Sequence, residues 1–305
     1  MNRDVDSSTA KLIGSDTAKA GAGRLISTAE KRGIMASMPI LFRGVFGWRE
    51  EDSSNAVSTA TRFDVIGTDG SVLNCMQFSA EQIPAKGVVL LCHPFLKYGM
   101  AYFFKHQYQG WLNAAGYHVV GFNFKGFGRS TIGGIAFADD VQSLARWIGT
   151  THPDLPVHLL GASFGGYHGI HGIARHRLQF ASAIFDSVPA DIAGFFGRGI
   201  SGLVMRWLSR SRWGQPTGTA PLVGSYPALQ HTACLFLYGS NDRFMTPSAL
   251  AELQRLCPTA TIVNYPQCEH LDLRKKYSQR YINDITNFLD SHAHRSHDAA
   301  LPADA

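Results

Sequence analysis

Short apolar runs separated by amphipathic stretches dominate the chain from about residue 60 onward. The first two runs, TRFDVIG and SVLNCMQF, alternate and are joined by Thr68-Asp69-Gly70, a combination typical of a hairpin turn. Six nearly continuous apolar runs follow, namely GVVLLC, HVVGF, PVHLL, ASAIF, CLFLY and ATIVNY. Such runs are typical of strands buried on both faces of a parallel sheet. The pattern therefore predicts two antiparallel strands followed by repeated strand–helix units, in a sheet of about eight strands.

Helical periods lie between the later apolar runs. Two stripes have apolar residues spaced three and four apart, as one face of a helix requires. They are Val141, Leu144, Ala145 and Ile148 in the first, and Tyr281, Ile285, Phe288 and Leu289 in the second. Thr246 and Pro247 are a plausible N-cap and first residue of a helix after CLFLY. Together these elements predict an α/β fold with helices on both faces of the sheet.

Residues 187–231 break this rhythm, because they are too many for a simple crossover between ASAIF and CLFLY. They combine helical pieces with a loop rich in Gly and Pro, which predicts a small helical lid inserted after the sixth strand. The segment between Asp191 and Asp242 contains no Asp or Glu, so the lid is expected to be cationic. Its arginines are Arg198, Arg206, Arg210 and Arg212.

The predicted domain organisation has three parts, an N-terminal extension over residues 1–55, an α/β domain over 56–290 and a disordered tail over 291–305. Charges interrupt residues 1–33 every few positions, so no signal peptide is expected. Residues 34–48 are more apolar but too short to span a bilayer, which needs about 20 apolar residues. The extension is expected to be partly disordered or packed on the domain, with an interfacial membrane anchor as the alternative. A cytoplasmic location is expected.

Composition excludes several function classes. The chain has 305 residues, 45% hydrophobic and 17% charged, as in an ordinary globular protein. Its net charge is +5, but no stripe of Lys and Arg with interleaved aromatics suggests nucleic-acid binding. The five cysteines form no C-x-x-C pair, so reduced thiols are expected rather than a zinc site or a disulfide framework. Residues 197–202 match G-x-G-x-x-G inside the lid and not at a strand–helix turn, so no cofactor and no metal are predicted.

The strongest chemical signal is Gly161-Ala162-Ser163-Phe164-Gly165, directly after the apolar run PVHLL. The pattern G-x-S-x-G between a strand and a helix is typical of a nucleophile elbow, where the glycines leave room for a sharp turn. The serine hydroxyl then lies beside a helix N-terminus, which favours developing negative charge. Ser163 is therefore the predicted nucleophile.

A serine nucleophile needs a histidine base and an acid that orients the base. In the chain order Ser, Asp, His, the acid should follow a later strand, and Asp242 does so in CLFLYGSNDRF. The base should follow the last strand, and His270 does so in ATIVNYPQCEHLD. Asp186, at the end of ASAIF, is the alternative acid.

The oxyanion of a tetrahedral intermediate needs two hydrogen-bond donors. The backbone N–H of Phe164, just after the nucleophile, is one candidate. The N–H of Phe95 in Cys92-His93-Pro94-Phe95 is the other, since Pro94 has no N–H. A cysteine nucleophile at Cys92 is less favoured, because an apolar run without an elbow is typical of a buried thiol.

With these motifs the chain resembles the α/β-hydrolase superfamily, especially its serine aminopeptidase/monoglyceride-lipase-like branch, over about residues 60–290. The segments that carry the resemblance are CHPF, NFKGFGRS, GASFGG, GSND and CEH. It implies an oxyanion loop at CHPF, the nucleophile in GASFGG, the acid in GSND and the base in CEH. The chain departs from the family pattern in two places, His-Pro instead of His-Gly in the oxyanion loop and Asn123 where relatives often carry Asp. Both leave the substrate subclass open.

The leading functional hypothesis is hydrolysis of a small-molecule carboxylic ester through an acyl-enzyme. The alternative is thioester cleavage or acyl transfer from coenzyme A or an acyl carrier protein, whose charge the cationic lid would suit. A catalytically silent binding protein on the same scaffold is a third hypothesis. The candidate substrate-binding residues are His93, Phe195, Phe196, Leu203 and Trp207. The oligomeric state stays open.

Overall fold

The apolar runs form the eight strands of one sheet in the computed structural model. The structure describes residues 59–294, except for residues 97, 132–134, 197–202, 205, 208–209 and 211–219. The strands are β1 (Thr61–Ile66), β2 (Val72–Phe78), β3 (Gly87–Cys92), β4 (Tyr117–Phe122), β5 (Val157–Ala162), β6 (Ser182–Asp186), β7 (Ala233–Gly239) and β8 (Thr261–Tyr265). Their order is β1-β2-β4-β3-β5-β6-β7-β8. The prediction of a mostly parallel eight-stranded sheet is confirmed.

The first hairpin supplies the antiparallel part of the sheet. β1 pairs with β2 and β2 with β4, both antiparallel, whereas every later pairing is parallel. At the hairpin turn, the N–H of Gly70 donates to the carbonyl of Gly67 over 2.9 Å. Gly70 has φ +76°, which a residue without Cβ adopts at little cost. The turn predicted at Thr68-Asp69-Gly70 is therefore present.

Seven α-helices lie in the described ranges. They are α1 (Ala101–Lys105), α2 (Tyr108–Ala114), α3 (Phe137–Thr151), α4 (Phe164–His176), α5 (Pro247–Leu256), α6 (Leu273–Lys276) and α7 (Ser278–Asp290). The two predicted apolar stripes lie in α3 and α7. Thr246 caps α5 as predicted, because its side chain accepts a hydrogen bond from the N–H of Ala249 at 3.3 Å.

Two hydrophobic clusters cover the two faces of the sheet. Val88, Leu90 and Cys92 of β3 point into the cluster formed with α3, α4 and α5. Val89 and Leu91, between them in the chain, point into the cluster formed with α1, α2 and α7. This alternation along a strand that is buried throughout places helices on both faces, as the continuous apolar run predicts.

The insert after β6 is described only in part. Its backbone contains 3₁₀ helices at Ile192–Phe196, Leu222–Gly224 and Tyr226–His231, and residues 203, 204, 206, 207 and 210 are helical. The lid over residues 187–231 therefore stays a prediction. The predicted extension over residues 1–55 and residues 295–305 of the predicted tail lie outside the described residues. No helix of the described ranges is long and apolar enough to cross a membrane.

Candidate active site

Ser163, Asp242 and His270 all lie at the carboxyl ends of parallel strands, on the same side of the sheet. Ser163 directly follows β5, Asp242 follows β7, and His270 follows β8. Because these three strands are parallel, their carboxyl ends lie side by side, which is where open α/β sheets bind ligands. The sequence therefore places all three polar side chains where they can meet.

Ser163 occupies a sharp turn between β5 and α4. Its φ of +48° and ψ of −114° lie outside the regions that a non-glycine residue ordinarily adopts. Two backbone bonds hold this conformation, from the N–H of Ser163 to the carbonyl of Asp186 at 2.8 Å and from the N–H of Tyr167 to the carbonyl of Ser163 at 2.9 Å. Ser163 is 3% exposed. The backbone has the strained geometry expected of a nucleophile elbow.

Gly165 lets the elbow pack directly against the end of β3. A Cβ at this position would overlap the carbonyl group of Cys92 and crowd the carbonyl oxygen of His93. No larger residue could occupy it without moving one of the two backbones. The glycine of the motif therefore brings the loop after β3 into contact with the loop that carries Ser163.

His270 bridges Ser163 and Asp242. Its Nε2 lies 2.8 Å from the Ser163 Oγ, and its Nδ1 lies 2.9 Å from the Asp242 Oδ2. With Nδ1–H donating to the carboxylate, Nε2 carries the lone pair that accepts the serine proton. The three side chains thus form a connected chain of hydrogen bonds.

The acid is fixed within its own loop. The side chain of Asp242 is fully buried, and its Oδ1 accepts the N–H of Phe244 at 2.9 Å. The ring of Phe244 meets the His270 ring edge-on, with 4.8 Å between centroids. Backbone and aromatic contacts therefore leave Oδ2 directed at His270.

Asp186, the alternative acid, has other partners. Its Oδ1 accepts the hydroxyl of Ser187 at 2.8 Å, and its Oδ2 accepts the hydroxyl of Tyr281 at 2.7 Å. Burial raises the pKa of Asp186, and the bonds from Tyr281 and Ser187 lower it. The geometry therefore pairs His270 with Asp242 and leaves Asp186 bonded to two hydroxyls.

Phe95 and Phe164, whose N–H groups are the candidate oxyanion donors, have their rings in contact. The rings of Phe95 and Phe164 meet with 5.2 Å between centroids. Phe164 is the first residue of α4, so its N–H is one of those that a helix leaves without an intrahelical acceptor. The structure thus brings the Phe95 loop to the N-terminus of the helix that begins after Ser163.

His93 corrects one expectation. It is fully buried, its Nε2 accepts the N–H of Phe124 at 3.1 Å, and its Nδ1–H donates to the carbonyl of Pro94 at 2.8 Å. Burial lowers the pKa of His93 to about 4, so the ring is neutral near pH 7. A side chain with both nitrogens bonded to backbone has nothing left to offer a substrate.

His93 instead fixes the peptide between Pro94 and Phe95, in the loop after β3. The Pro94 carbonyl and the Phe95 N–H belong to one planar trans peptide, so fixing the oxygen fixes the direction of the N–H. The N–H of Leu96 holds the same oxygen at 2.8 Å. The Phe95 N–H therefore points away from His93 in a fixed direction.

The other predicted substrate-binding residues lie in the insert. The side chains of Phe195 and Phe196 lie outside the described residues. Leu203 and Trp207 are 60% and 68% exposed and, with Arg206 and Arg210, line an open depression of about 390 Å³. Of the described residues, only these four line it, so the structure does not bring Leu203 and Trp207 together with Ser163.

Thiol and metal chemistry find no support in the described part of the chain. All five cysteines are free and buried. Burial raises the pKa of the Cys92 thiol, which opposes the thiolate that a cysteine nucleophile needs. Among the described residues, no group of three or more His, Cys, Asp or Glu side chains could hold a metal ion.

Sequence reasoning missed the residues that support the base. Ser187 and Tyr281 bind Asp186, and the N–H of Leu271 donates to the Ser187 Oγ at 3.2 Å. Ser187 follows Asp186 and Leu271 follows His270. Their position next to a candidate site residue was the only feature of the sequence that could have pointed to them. Neither residue type, however, indicates a left-handed backbone.

Comparison with known proteins supports the same superfamily. Residues 83–216 match the family described as serine aminopeptidase, S33. A search of curated proteins finds no significant match. Among solved structures, the esterase Pf2001 of Pyrococcus furiosus is similar with a TM-score of 0.63 and 13% identity, over 81% of this chain and 95% of that one.

Two further structures have the same architecture. A thermophilic esterase from Thermogutta terrifontis gives a TM-score of 0.56 and 20% identity, over 76% of this chain and 100% of that one. XC6422 from Xanthomonas campestris is an α/β serine hydrolase without a lid. Its structure gives a TM-score of 0.51 and 20% identity, over 81% of this chain and 98% of that one. At these identities the likeness establishes the fold. Together with the match of residues 83–216 to the serine aminopeptidases, S33, it supports a hydrolase with the α/β-hydrolase fold.

Proposed function

We propose that the protein hydrolyses a carboxylic ester of a small molecule through an acyl-enzyme formed on Ser163. The observation that carries this proposal is the chain of hydrogen bonds from Ser163 through His270 to Asp242. Its members lie on three separate strand ends, and the central ring accepts from one neighbour and donates to the other. That arrangement is what a serine nucleophile needs for activation at neutral pH.

Acylation uses each group once. His270 Nε2 takes the proton of the Ser163 hydroxyl as Oγ attacks the ester carbonyl carbon, and the carbonyl π electrons move to oxygen. The N–H groups of Phe95 and Phe164 donate to that oxyanion. Collapse of the intermediate expels the alcohol, which takes the proton from His270. Asp242 holds the imidazole and stabilises its cationic form.

Deacylation repeats the sequence with water. His270 removes a proton from water as the water oxygen attacks the acyl carbon, and the oxyanion again faces the two N–H groups. Collapse breaks the bond to Ser163 Oγ, which recovers its proton from His270. The net reaction is ester plus water to acid plus alcohol, and the enzyme returns to its starting state.

Substitution of the nucleophile tests the proposal. Ser163→Ala should lower kcat for a short p-nitrophenyl ester by about 10⁴-fold or more, because no side chain can then form the acyl-enzyme. A fluorophosphonate should add one adduct to the wild-type protein, at Ser163, and none to the variant. Ser248→Ala, an exposed serine in α5, is the matched control and should behave as wild type. Activity of Ser163→Ala within tenfold of wild type would refute the assignment.

A second candidate is cleavage or transfer of the acyl group of an anionic thioester. The depression in the insert favours it, because Arg206 and Arg210 line it together with exposed Leu203 and Trp207. Such a surface offers positive charge to a phosphate-bearing thioester and apolar area to its acyl chain. We propose on this basis that residues 187–231 act as a lid that receives the substrate.

A further inference from the structure

A buried chain of hydrogen bonds lies behind the candidate base. The hydroxyl of Tyr108 in α2 donates to that of Tyr281 in α7 at 2.9 Å, and Tyr281 donates to Asp186 Oδ2 at 2.7 Å. The hydroxyl of Ser187 donates to Asp186 Oδ1 at 2.8 Å. All four side chains are buried, and the ester-hydrolysis mechanism uses none of them.

This chain of hydrogen bonds ends at Leu271, the residue after His270. A serine hydroxyl has one proton, and Ser187 gives that proton to Asp186. Its oxygen is then directed by the carboxylate to accept, and it accepts the N–H of Leu271 at 3.2 Å. Asp186 thus acts on the loop of the base through the oriented hydroxyl of Ser187.

Leu271 needs such support. Its φ is +60°, in the left-handed region that side chains other than Gly, Asn and Asp rarely occupy. A residue held there persists only when its surroundings fix it. Ser187 has φ +52° and is anchored by its own N–H, which donates to the Leu237 carbonyl of β7 at 2.9 Å. The support for Leu271 therefore comes from β7, a strand with a neighbour on each side.

We propose that Asp186 and Ser187 are positioning residues for His270. By fixing the left-handed turn at Leu271, they hold the imidazole at the angle where Nδ1 meets Asp242 and Nε2 meets Ser163. The Asp186 backbone contributes at the nucleophile as well, since its carbonyl accepts the N–H of Ser163 at 2.8 Å. One residue at the end of β6 thereby sets the relative placement of nucleophile and base. This inference rests on the proposed function.

The test removes the hydroxyl of Ser187. Ser187→Ala should lower kcat for a p-nitrophenyl ester by about tenfold while KM stays within twofold, because a misdirected base impairs proton transfer but not binding. The pH–rate profile of Ser187→Ala should also differ from that of the wild type, because a loosened His270 no longer keeps its hydrogen bond to Asp242.

Ser240→Ala is the matched control. The Ser240 Oγ also accepts a backbone N–H in this loop, that of Gln267 at 2.8 Å, and Gln267 also has a left-handed backbone with φ +56°. Its bond lies three residues before His270 rather than directly after it. Ser240→Ala should leave kcat and the pH profile unchanged. Equal losses in both variants would mean that the loop is merely destabilised, and the positioning role would be wrong.

A double-mutant cycle with Asp186→Asn tests the connection itself. If Asp186 acts through Ser187, the double variant should lose no more kcat than the worse single variant, whereas independent roles would give multiplied losses. Proton NMR gives a readout without substrate. The low-field signal of the His270 Nδ1–H should broaden in Ser187→Ala through faster exchange with solvent and stay sharp in Ser240→Ala.

The outcomes separate this inference from the proposed function. A wild-type protein that neither turns over esters nor labels at Ser163 with a fluorophosphonate would overturn the proposed function. Wild-type activity that depends on Ser163, together with an unchanged kcat, pH profile and NMR signal in Ser187→Ala, would overturn the positioning role alone. Circular dichroism of each variant shows that the compared proteins are folded.

Discussion

Two buried carboxylates lie near the candidate base, and their hydrogen-bond partners give them different roles. Asp242 presents Oδ2 to the His270 ring, whereas both oxygens of Asp186 accept hydroxyls. Asp186 is the last residue of β6 and Asp242 follows β7, so both lie at the carboxyl ends of parallel strands and position along the chain does not separate them. The choice depends on which loop reaches the imidazole.

Asp242→Asn tests the role of the acid. The amide keeps the size of the carboxylate but can donate through Nδ2, which favours the tautomer with hydrogen on Nε2 of His270. Nε2 then cannot accept the serine proton, so kcat should fall by about 10⁴-fold, measured on a p-nitrophenyl ester. Asp154→Asn, at an exposed position between α3 and β5, is the control and should retain activity. A mild effect of Asp242→Asn with a severe one of Asp186→Asn would move the acid to β6.

The sequence predicted those residues of the candidate site that follow strands in a recognisable chain order. It did not predict the contacts between loops. Ser163, Asp242 and His270 each follow an apolar run, and parallel pairing brings such positions to one edge whatever the loops do. The bond from Leu271 to Ser187 joins loops 84 residues apart and depends on two left-handed residues. His93 was misjudged for the same reason, because its two backbone partners are set by the packing of the β3 and β4 loops.

At the scale of elements, two alternating runs and six nearly continuous apolar runs predicted all eight strands. The helices α1 and α2 between β3 and β4 carried no comparable signal. Tyr102, Phe103 and Phe104 are consecutive and all buried, so α1 has no polar face on which a helical period could appear. Its helix is fixed by tertiary packing rather than by local pattern.

The insert gives the element-scale prediction. If Arg206 and Arg210 attract an anionic thioester, Arg206→Gln/Arg210→Gln should lower kcat/KM for an acyl-CoA several-fold and leave a neutral p-nitrophenyl ester unaffected. Because such steering is screened over about 8 Å at physiological salt, the wild-type thioester rate should fall with added NaCl and the variant's rate should fall less.

The matched control changes the same charge elsewhere. Arg62→Gln/Arg146→Gln removes two exposed arginines from β1 and α3, and both substrates should react as with the wild type. If the two double variants behave alike, or if both substrates respond equally to Arg206→Gln/Arg210→Gln, net charge or folding accounts for the effect. The thioester candidate would then be withdrawn.

At the scale of the whole molecule, four neutral histidines are enclosed in the core. Burial lowers the pKa of His93 and His171 to about 4, that of His158 to about 3, and that of His168 well below its usual range. His168 is the extreme case, because neither ring nitrogen has a hydrogen-bond partner among the described residues. Aromatic rings surround it, with Phe164 at 4.3 Å between centroids.

These histidines should make the fold sensitive to acid. In the unfolded chain a histidine binds a proton below about pH 6.5, whereas the buried ring stays neutral to a lower pH, so stability falls as pH drops through that window. For His168 this loss of stability should appear between pH 7 and pH 5. Urea unfolding of the wild type and of His168→Leu at both pH values measures it.

The comparison between the two proteins isolates this histidine. Buried carboxyls such as Asp186 have a raised pKa and act in the opposite sense, but they are common to both proteins. His168→Leu should be at least as stable as the wild type at pH 7, because an unpartnered buried polar group costs about 1–3 kcal/mol. Its advantage should grow toward pH 5. An advantage that stays constant with pH would show that His168 does not titrate on unfolding.

The candidate base lies in the loop that follows β8, one of the two edge strands of the sheet. β8 pairs with β7 alone, and four of its five residues are exposed or only partly buried, whereas β5 is buried throughout. Fraying at an edge needs less free energy than opening the interior, so the loop of His270 should open before the loops of Ser163 and Asp242. Loss of hydrolytic activity would then follow unfolding at the β8 edge of the sheet and not unfolding of the core. We expect heat or denaturant to abolish activity while most of the sheet, including the turn that carries Ser163, is still folded.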